Sequence, residues 1–456
     1  MNRKSSMLRT LFLLAGPTVI EQALQTVVQY ADTAMVGQIG AQASAAVGLT
    51  ITVTWLVTSP LFAMGVGVLA LIAKSIGEND LDKARAAAGQ AVWIALVLGI
   101  LLGALTLGIS PFLPGWMGAD RALHRDASLY FAIICAPMLF RSFSVIFAAV
   151  LRAVGDTKTP MVVNGAMNLC NILLNQLLIS NGQTFSILGL SVHIPGAGWG
   201  IVGAAVATAV SLCLGGMAMF LAMARHPLVR LRPKELRVDK PVLEQIVRIG
   251  LPVTLNRVVN CLGQVVFTSL VAGLGTLATA AHSIALTAEE AFYVPGYGMQ
   301  AATSTLSGNA LGRRDPRELA GVARASLTLA VGVMSLMALG LFLFPDRIMS
   351  LFTPDAEVVR TGAGLLRMVA VSEPLFAGYI ICEGIFQGIG DTKGPFVCSM
   401  VCMWLVRVCM TFVCMRWLGL GLQAVWACMI ADNVLRCVWL SARYLAGAWK
   451  ARFSRL

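Results

Sequence analysis

The chain alternates long apolar blocks with short polar segments throughout its 456 residues. Each apolar block is roughly 20–30 residues long, enough for a helix to cross about 30 Å of hydrocarbon. The short segments of alternating polarity that are typical of outer-membrane barrels are not found. The pattern therefore predicts twelve membrane-spanning helices and an all-α integral membrane fold. They are placed at 11–37, 44–74, 86–109, 124–151, 160–181, 198–224, 243–273, 279–310, 320–344, 358–387, 395–417 and 421–446.

Composition supports a membrane protein and gives it an orientation. Hydrophobic residues make up 57% of the chain and charged residues 12%, against about 25% charged residues in soluble proteins. The net charge of +12 comes from Lys and Arg that gather in every second loop, most densely between Arg225 and Arg248. This alternation predicts that both termini are cytoplasmic. The basic charge thus follows from topology and contact with membrane lipids, and no nucleic-acid partner is expected.

Several classes of chemistry find no support in the sequence. The eleven cysteines include no C-x-x-C pair and the four histidines stand alone, so packing is favoured over metal or redox roles. No G-x-x-x-x-G-K-[ST] motif is present, so nucleotide hydrolysis is not indicated. We therefore expect neither an enzyme nor a bound cofactor. The first apolar block has no small-residue cleavage site, so no cleaved signal peptide is expected.

The two halves of the chain repeat each other at a fixed spacing. Pro17 lies 235 residues before Pro252, and the segment Gly155–Lys158 (GDTK) lies 235 residues before Gly390–Lys393, also GDTK. Six helices in each half, with one cytoplasmic linker between the halves, predict parallel repeats, related by an axis along the membrane normal. The expected division is an N-terminal lobe at 1–224, a basic linker held at the membrane surface at 225–242, and a C-terminal lobe at 243–456.

Helix 1 carries a polar stripe of two carboxylates and two amides, Glu21, Gln25, Gln29 and Asp32. At about 100° per residue these four positions fall within an arc of roughly 80°. A carboxylate at the bilayer centre costs about 2.5–3.5 kcal/mol on insertion scales, which disfavours a lipid-facing stripe. Two interpretations remain open: an ion or proton site, or buried carboxylates neutralised by a basic partner elsewhere.

Helix 5 carries a matching stripe of asparagines, Asn164, Asn168, Asn171 and Asn175, within an arc of roughly 60°. Asparagine can coordinate a cation or hydrogen-bond a carboxylate. It also joins membrane helices, at about 0.6 kcal/mol per contact. Four asparagines on one face favour the lining of a wet cavity.

The second half repeats this geometry without the charge. Its positions equivalent to the first three polar residues of helix 1 carry Asn256, Asn260 and Gln264. Phe267 stands at the position equivalent to Asp32, so ion chemistry is expected in the first half, and the second half is expected to contribute mainly to the substrate cavity. Glu289, which precedes Pro295 on helix 8, is the acid expected to face that cavity.

Five segments together resemble the multidrug and toxic compound extrusion (MATE) family, within the superfamily that includes lipid and polysaccharide flippases. They are QYADTAMVG at 29–37, LRAVGDTKTP at 151–160, the asparagine stripe at 168–179, AEEAFYVPG at 288–296 with LSGNALG at 306–312, and Arg443 with Trp449 and Lys450 in the tail. The resemblance implies twelve helices in two six-helix lobes. It also implies export of cationic or amphipathic compounds in exchange for H⁺ or Na⁺.

The resemblance also assigns roles to residues. Asp32 matches the helix 1 acid that is linked to ion coupling, Asn171 and Asn175 match a polar pair on helix 5, and Glu289 matches a glutamate on helix 8. Some relatives have Asp where this chain has Asn175, and others have Glu near Gln264. This chain therefore has fewer acids at both places.

The resulting hypothesis is a monomeric antiporter with alternating access in a bacterial inner membrane. The expected ion-coupling residues are Asp32, Glu21, Gln25, Asn171 and Asn175, with Na⁺ at Asp32, Asn171 and Asn175 as one possibility. The expected cavity and substrate residues are Gln29, Asn164, Asn168, Asn256, Asn260, Gln264 and Glu289. The alternative is a flippase for a lipid-linked sugar, for which Arg141, Arg257 and Arg407 would have to hold a pyrophosphate.

Overall fold

The computed structural model describes residues 3–117, 121–179, 183–187, 190–194 and 196–454. Helices in the first half are α1 Arg3–Ile39, α2 Ala41–Gly77, α3 Leu81–Ile109, α4 Leu113–Trp116, α5 Arg121–Cys135, α6 Met138–Ala153, α7 Lys158–Ile179 and α8 Gly200–Arg225. Those of the second half are α9 Lys240–Ala272, α10 Thr276–Gly312, α11 Pro316–Leu343, α12 Pro345–Ser350, α13 Ala356–Ala370, α14 Glu373–Gly388, α15 Lys393–Val401, α16 Met410–Arg416, α17 Leu422–Leu445 and α18 Lys450–Phe453. A π-helical segment, Cys402–Cys409, joins α15 to α16.

Every predicted span coincides with a helix or with consecutive helices. Within the described ranges, nine helices are long and apolar enough to cross a membrane, and two bent pairs raise the number to eleven. The remaining predicted span is α10, which has the length of a span but is less apolar because it carries two glutamates and many small polar residues. The helical pattern read from the sequence is therefore present in the described residues, and positions 180 and 181 at the end of the fifth predicted span lie outside them.

Two predicted spans are bent where the sequence analysis expected one continuous helix. The span at 124–151 consists of α5 and α6, which meet at an angle of 47°, and the span at 358–387 consists of α13 and α14, which meet at 55°. Pro137 lies immediately before α6, and Pro374 lies in the first turn of α14. Proline has no N–H to donate and its ring clashes with the preceding turn, so a helix breaks before it.

A short β-hairpin stands between α7 and α8. Strand β1, Gln183–Ile187, pairs with β2, Leu190–Ile194, in antiparallel register with Gln183 opposite Ile194. The sequence analysis placed no element here. The hairpin is an addition to the helical fold and lies outside the predicted spans.

The chain packs into two compact units. One unit contains residues 1–19, 69–80 and 245–456, and its core surrounds α14, where Ile381 and Phe386 are fully buried. The other contains residues 20–68 and 81–244. The predicted lobe boundaries at 224 and 243 stay a prediction.

Polar contacts show that each half pairs its first and fifth predicted helices in the same register. Four such contacts each join residues 143 positions apart: Glu21–Asn164, Asp32–Asn175, Ile249–Thr392 and Gln264–Arg407. Because two of these contacts lie in each half, the internal repeat is visible in the packing as well as in the sequence.

Glycines bring α2 and α10 into close contact within the first of these units. A methyl group at Gly77 would lie 2.2 Å from the carbonyl oxygen of Asn309, and one at Gly312 would lie 2.0 Å from that of Lys74. The two contacts are equivalent under the 235-residue repeat. Small residues spaced four apart allow membrane helices to approach this closely.

Candidate functional site

The carboxylate of Asp32 on α1 is bound by two asparagines of α7. Asn175 donates through Nδ2 to Asp32 Oδ1 at 2.5 Å. In the orientation that satisfies its neighbours, the Asn171 amide nitrogen lies 2.9 and 3.2 Å from the two Asp32 oxygens, and its oxygen accepts from Thr208 Oγ1 at 3.2 Å. Three residues predicted from the sequence therefore come together here, joined by Thr208 of α8.

This cluster has an acceptor to spare. Asn175 is 1% exposed and its Oδ1 has no donor among the described residues, while Asp32 is partly exposed. An unpartnered buried acceptor beside a carboxylate can accept a hydrogen bond from that carboxyl group when it is protonated. It can also bind a cation that prefers oxygen ligands. No group of three His, Cys, Asp or Glu side chains that could hold a metal ion occurs in the part of the chain that the structure describes. A cation at Asp32 would thus be held by one carboxylate with amide oxygens.

Glu21, three turns earlier on α1, belongs to a different contact. Its Oε1 accepts from Arg152 Nη2 at 2.6 Å and from Asn164 Nδ2 at 2.6 Å. Asn164 in turn accepts from Ser144 Oγ at 3.2 Å. Glu21 is 4% exposed, so its charge is compensated by Arg152. Of the two interpretations left open by the sequence, the basic partner is the one that the structure shows for Glu21.

The other polar residues of these stripes differ in their exposure. Gln25 and Gln29 are both exposed on α1. Asn168 is buried on α7, and its Nδ2 has no acceptor within the described residues. The asparagine stripe is therefore buried along its length, but only its last two members contact Asp32.

In the second half, the predicted amides join a network around Glu383. Asn260 Nδ2 donates to Asn256 Oδ1 at 2.7 Å, and Asn256 Nδ2 lies 3.4 Å from Glu383 Oε1. Gln300 Nε2 donates to the other Glu383 oxygen at 3.0 Å. The carboxylate is thus held by amides from α9 and α10.

A buried ion cluster adjoins these amides. Asp432 is fully buried, 2.8 Å from Arg407 Nε and 2.6 Å from Arg436 Nε. Arg436 also donates to Asn260 Oδ1 at 3.1 Å, and Arg407 donates to Gln264 Oε1 at 3.3 Å. The two arginines share one carboxylate, and their terminal nitrogens also donate to amide oxygens and to the Ser399 hydroxyl, which helps to stabilise the buried charges.

Two further acids of the second half have few partners. Glu289 is fully buried and accepts from the hydroxyl of Tyr293, while its Oε2 has no donor among the described residues. Glu373 is 1% exposed, and neither of its oxygens has a donor there. The two carboxylates are within electrostatic reach of each other. Unpaired acids at membrane depth are candidates for function.

Sequence reasoning missed the residues that complete these contacts. Thr208 is one hydroxyl in an apolar helix, and Gln300 one amide in a helix rich in small polar residues, so neither stands out from its neighbours. Arg152 was counted only among the charges that set topology. Its position one turn before the GDTK loop was the one available signal that it faces another helix.

The chain matches one protein-family model and several curated proteins. The family model MatE matches residues 17–177 and again 252–413, two stretches that begin 235 residues apart. The "Probable multidrug resistance protein NorM" of Thermotoga maritima is 28% identical over 97% of this chain and 93% of its own length. The "Multidrug resistance protein PmpM" of Pseudomonas aeruginosa is 25% identical over 87% of this chain and 82% of its own length.

Solved structures show the same fold. One described as the "outward-facing conformation of a multidrug resistance MATE family transporter of the MOP superfamily" superposes with a TM-score of 0.89 at 23% identity, covering 99% of both chains. A second, described as MATE in complex with MaL6, gives the same TM-score and identity over 99% of this chain and 100% of that one.

The family model and the relatives define a multi-pass membrane transporter. The likeness to the solved structures confirms the predicted fold class of twelve helices in two lobes. The two matched stretches together cover more than half of the chain, once in each repeat. The chain belongs to the MatE family.

Proposed function

We propose that the chain exports cationic or amphipathic small molecules by antiport with H⁺ or Na⁺, with Asp32 as the coupling residue. The observation that carries this proposal is the contact of Asp32 with Asn171 and Asn175. It gives one partly exposed carboxylate adaptable amide partners and no cationic partner in the contacts described. The names of the relatives, as multidrug resistance proteins, support the substrate class.

The amides suit a carboxylate that changes its charge. When Asp32 is ionised, the N–H groups of Asn175 and Asn171 hydrogen-bond it. When a proton arrives, rotation of the Asn175 amide would turn its unpartnered Oδ1 toward the new donor. A Na⁺ ion would draw on the same oxygen. Binding of a proton or of Na⁺ at Asp32 therefore changes the hydrogen bonds between α1 and α7.

Transport of the ion is coupled to transport of the substrate because binding of H⁺ or Na⁺ at Asp32 opposes binding of the substrate. Neutralising Asp32 alters the packing of α1, which disfavours the substrate-bound state facing out of the cell; substrate leaves, the transporter turns inward and the ion dissociates. Linkage requires that substrate weaken ion binding by the same factor. The proposed cycle needs no change of charge at Glu21, because Arg152 lies 2.6 Å from its carboxylate; the expected role of Glu21 in ion coupling stays a prediction.

The same proposal includes the setting of the protein. It lies in a bacterial inner membrane with both termini in the cytoplasm, as the distribution of Lys and Arg indicates, and works as a single chain in contact with membrane lipids. The flippase alternative needs free cations in the membrane. Arg407 is already bound to Asp432, which weakens that alternative.

The test is transport by Asp32→Asn in proteoliposomes, with a panel of organic cations and either a pH or a Na⁺ gradient alone. We expect the gradient-driven rate to fall by about 5–150-fold, because typical coupling energies of about 1–3 kcal/mol correspond to factors in that range. Asp82→Asn is the matched control, since that carboxylate is 95% exposed at the start of α3.

Two results would overturn the assignment. Undiminished transport by Asp32→Asn with its ion dependence intact would show that coupling lies elsewhere. Loss of coupling in Glu373→Gln together with retention in Asp32→Asn would place it at the unpartnered acids of the second half.

A further inference from the structure

The linker between the repeats, 226–239, is seated on α3. Gln90 Nε2 donates to the carbonyl oxygen of Arg237 at 2.8 Å, and Trp93 Nε1 donates to that of Leu236 at 2.7 Å. Both donors come from one turn of α3 and both acceptors are backbone groups of the linker. The linker is therefore docked on this helix and does not simply tether the repeats.

The docking site lies at the level where lipid headgroups meet hydrocarbon. Arg85 is the last charged residue of α3, and the 20 residues from Gln90 to Ile109 are enough to cross about 30 Å. Trp93 is 39% exposed and Val238 of the linker is 55% exposed. A tryptophan and an exposed aliphatic side chain at this depth are typical of the membrane interface.

A cavity of about 490 Å³ opens between α3 and the linker, within the range of small-ligand sites. Its wall carries three cations, Lys234, Arg237 and Lys240, and two acids, Glu235 and Asp239. Cations of this kind bind phosphate oxygens through charge-assisted hydrogen bonds. The mixture of signs indicates a ligand that also carries a positive charge.

Two buried acceptors on this wall lack donors. Gln90 is fully buried, and its Oε1 has no donor in the described parts of the chain; the same holds for Oε2 of Glu235. Asp239 is engaged, because its Oδ1 accepts from the backbone N–H of Val242 at 3.2 Å. Buried acceptors without donors are costly, so a ligand here should bring N–H groups as well as a phosphate.

We propose that this cavity binds the headgroup of an aminophospholipid of the phosphatidylethanolamine type from the adjacent leaflet. Its phosphate contacts Lys234, Arg237 and Lys240, and its ammonium donates to the Glu235 carboxylate and the Gln90 amide oxygen. The acyl chains run along the exposed side of α3 past Trp93. Bound lipid then bridges α3 and the linker and stabilises their contact.

The binding test is native mass spectrometry of the purified full-length protein, titrated with phosphatidylethanolamine, phosphatidylcholine or phosphatidylglycerol of identical acyl chains. Phosphatidylcholine keeps the phosphate and the positive charge but has no N–H donor, and phosphatidylglycerol has no ammonium. We expect phosphatidylethanolamine to bind about tenfold more tightly than either, on the scale of one or two charge-assisted hydrogen bonds. Equal binding of phosphatidylethanolamine and phosphatidylcholine would overturn the proposal.

Substitutions in the cavity wall test the contacts of the phosphate and of the ammonium separately. Glu235→Gln should abolish the preference for phosphatidylethanolamine over phosphatidylcholine, whereas Lys234→Gln combined with Lys240→Gln should weaken all three lipids. Arg232→Gln is the control, because Arg232 is an exposed cation of the same linker outside the cavity wall. An unchanged preference in Glu235→Gln would show that the ammonium is not bound there.

Soluble phosphoethanolamine distinguishes a lipid from a free metabolite of the same chemistry. It should compete only at concentrations far above those of the lipid, because it lacks the acyl chains. Competition at equal concentration would overturn the assignment to a lipid. Because these experiments measure lipid binding, their outcome does not depend on the transport proposal.

Discussion

Glu21 and Asp32 lie three turns apart on α1, yet their surroundings differ. Glu21 is fully enclosed with Arg152 and Asn164, whereas Asp32 is partly exposed and contacts only neutral polar groups in the bonds described. A paired buried charge is fixed by its partner, while an unpaired one can change its charge at lower cost. This contrast supports the proposal that Asp32, and not Glu21, is the coupling acid of α1.

The ion pair of Glu21 can be tested by a double-mutant cycle on unfolding in detergent. Arg152→Gln should lower the free energy of unfolding by about 3–5 kcal/mol, because it leaves a buried carboxylate without its cation. Glu21→Gln combined with Arg152→Gln should recover much of this loss, since no charge is then buried unpaired.

The cycle also has an outcome that contradicts the structure. If the double variant is as unstable as the sum of the two single variants, Glu21 and Arg152 do not interact. Asp82→Asn with Arg85→Gln is the matched control, because that pair, 3.4 Å apart, includes a carboxylate that is 95% exposed, and exposed pairs contribute little.

At the scale of elements, Gly89 of α3 allows the linker to pack closely against that helix. A methyl group at Gly89 would lie 1.9 Å from the carbonyl oxygen of Glu235, whereas nothing lies within 4 Å of one at Gly108 on the same helix. The two glycines share helix and residue type but differ in what they face. Gly89 is required because the backbone of the linker approaches it closely, whereas no neighbour requires a glycine at position 108.

Gly89→Ala should therefore displace the linker. We expect a loss of about 1–3 kcal/mol in unfolding free energy, typical of overpacking, and faster tryptic cleavage at Lys234 and Arg237. Gly108→Ala should instead gain about 0.5–1 kcal/mol, since alanine is the better helix former. Equal linker proteolysis in the two variants would contradict the observed docking.

Element boundaries followed from periodicity where the chain was uniform and failed where proline intervened. The spans at 160–181 and 198–224 match α7 and α8 to within two residues at each end. The breaks before α6 and α14 were missed because both sides of each break are apolar. Apolar content predicts that a segment crosses the membrane but carries no information on its straightness.

At the scale of the whole molecule, the contact of α2 with α10 joins one helix from each repeat. A methyl group at Gly308 would lie 2.8 Å from Cβ of Ala73, next to the equivalent pairs at Gly77 and Gly312. If the repeats rock against each other during transport, this contact must open. Fixing it should stop the cycle.

A cross-link tests this. In a background without the eleven native cysteines, Ala73→Cys with Gly308→Cys should form a disulfide after a shift of about 1 Å toward the usual Cβ spacing. Oxidation should abolish transport and reductant should restore it. Full transport by a fully cross-linked protein would rule out opening at this contact.

The control pair is Gly65→Cys with Ala149→Cys. A methyl group at Gly65 would lie 3.3 Å from Cβ of Ala149, so the spacing is similar, but both residues belong to the first repeat. Cross-linking within one repeat should leave transport unchanged, because the proposed motion occurs between repeats.

The sequence by itself determined the spans, the duplication and the residue types on each polar face. These follow from local periodicity and from a fixed spacing, which do not depend on distant parts of the chain. It also placed Asp32, Asn171 and Asn175 in one group through the resemblance to a family. The contacts of α1 with α7 bring these three side chains together, and their role in ion coupling stays a prediction.

Only the tertiary structure decided which charges are paired. Arg152 is 131 residues from Glu21, and Arg407 reaches Asp432 from a π-helical segment that no pattern in the sequence marks. The docking of the linker on Gln90 and Trp93 likewise joins residues more than 140 positions apart. Whether a buried charge is structural or free depends on the partner that packing brings to it, and that partner is set by the fold as a whole.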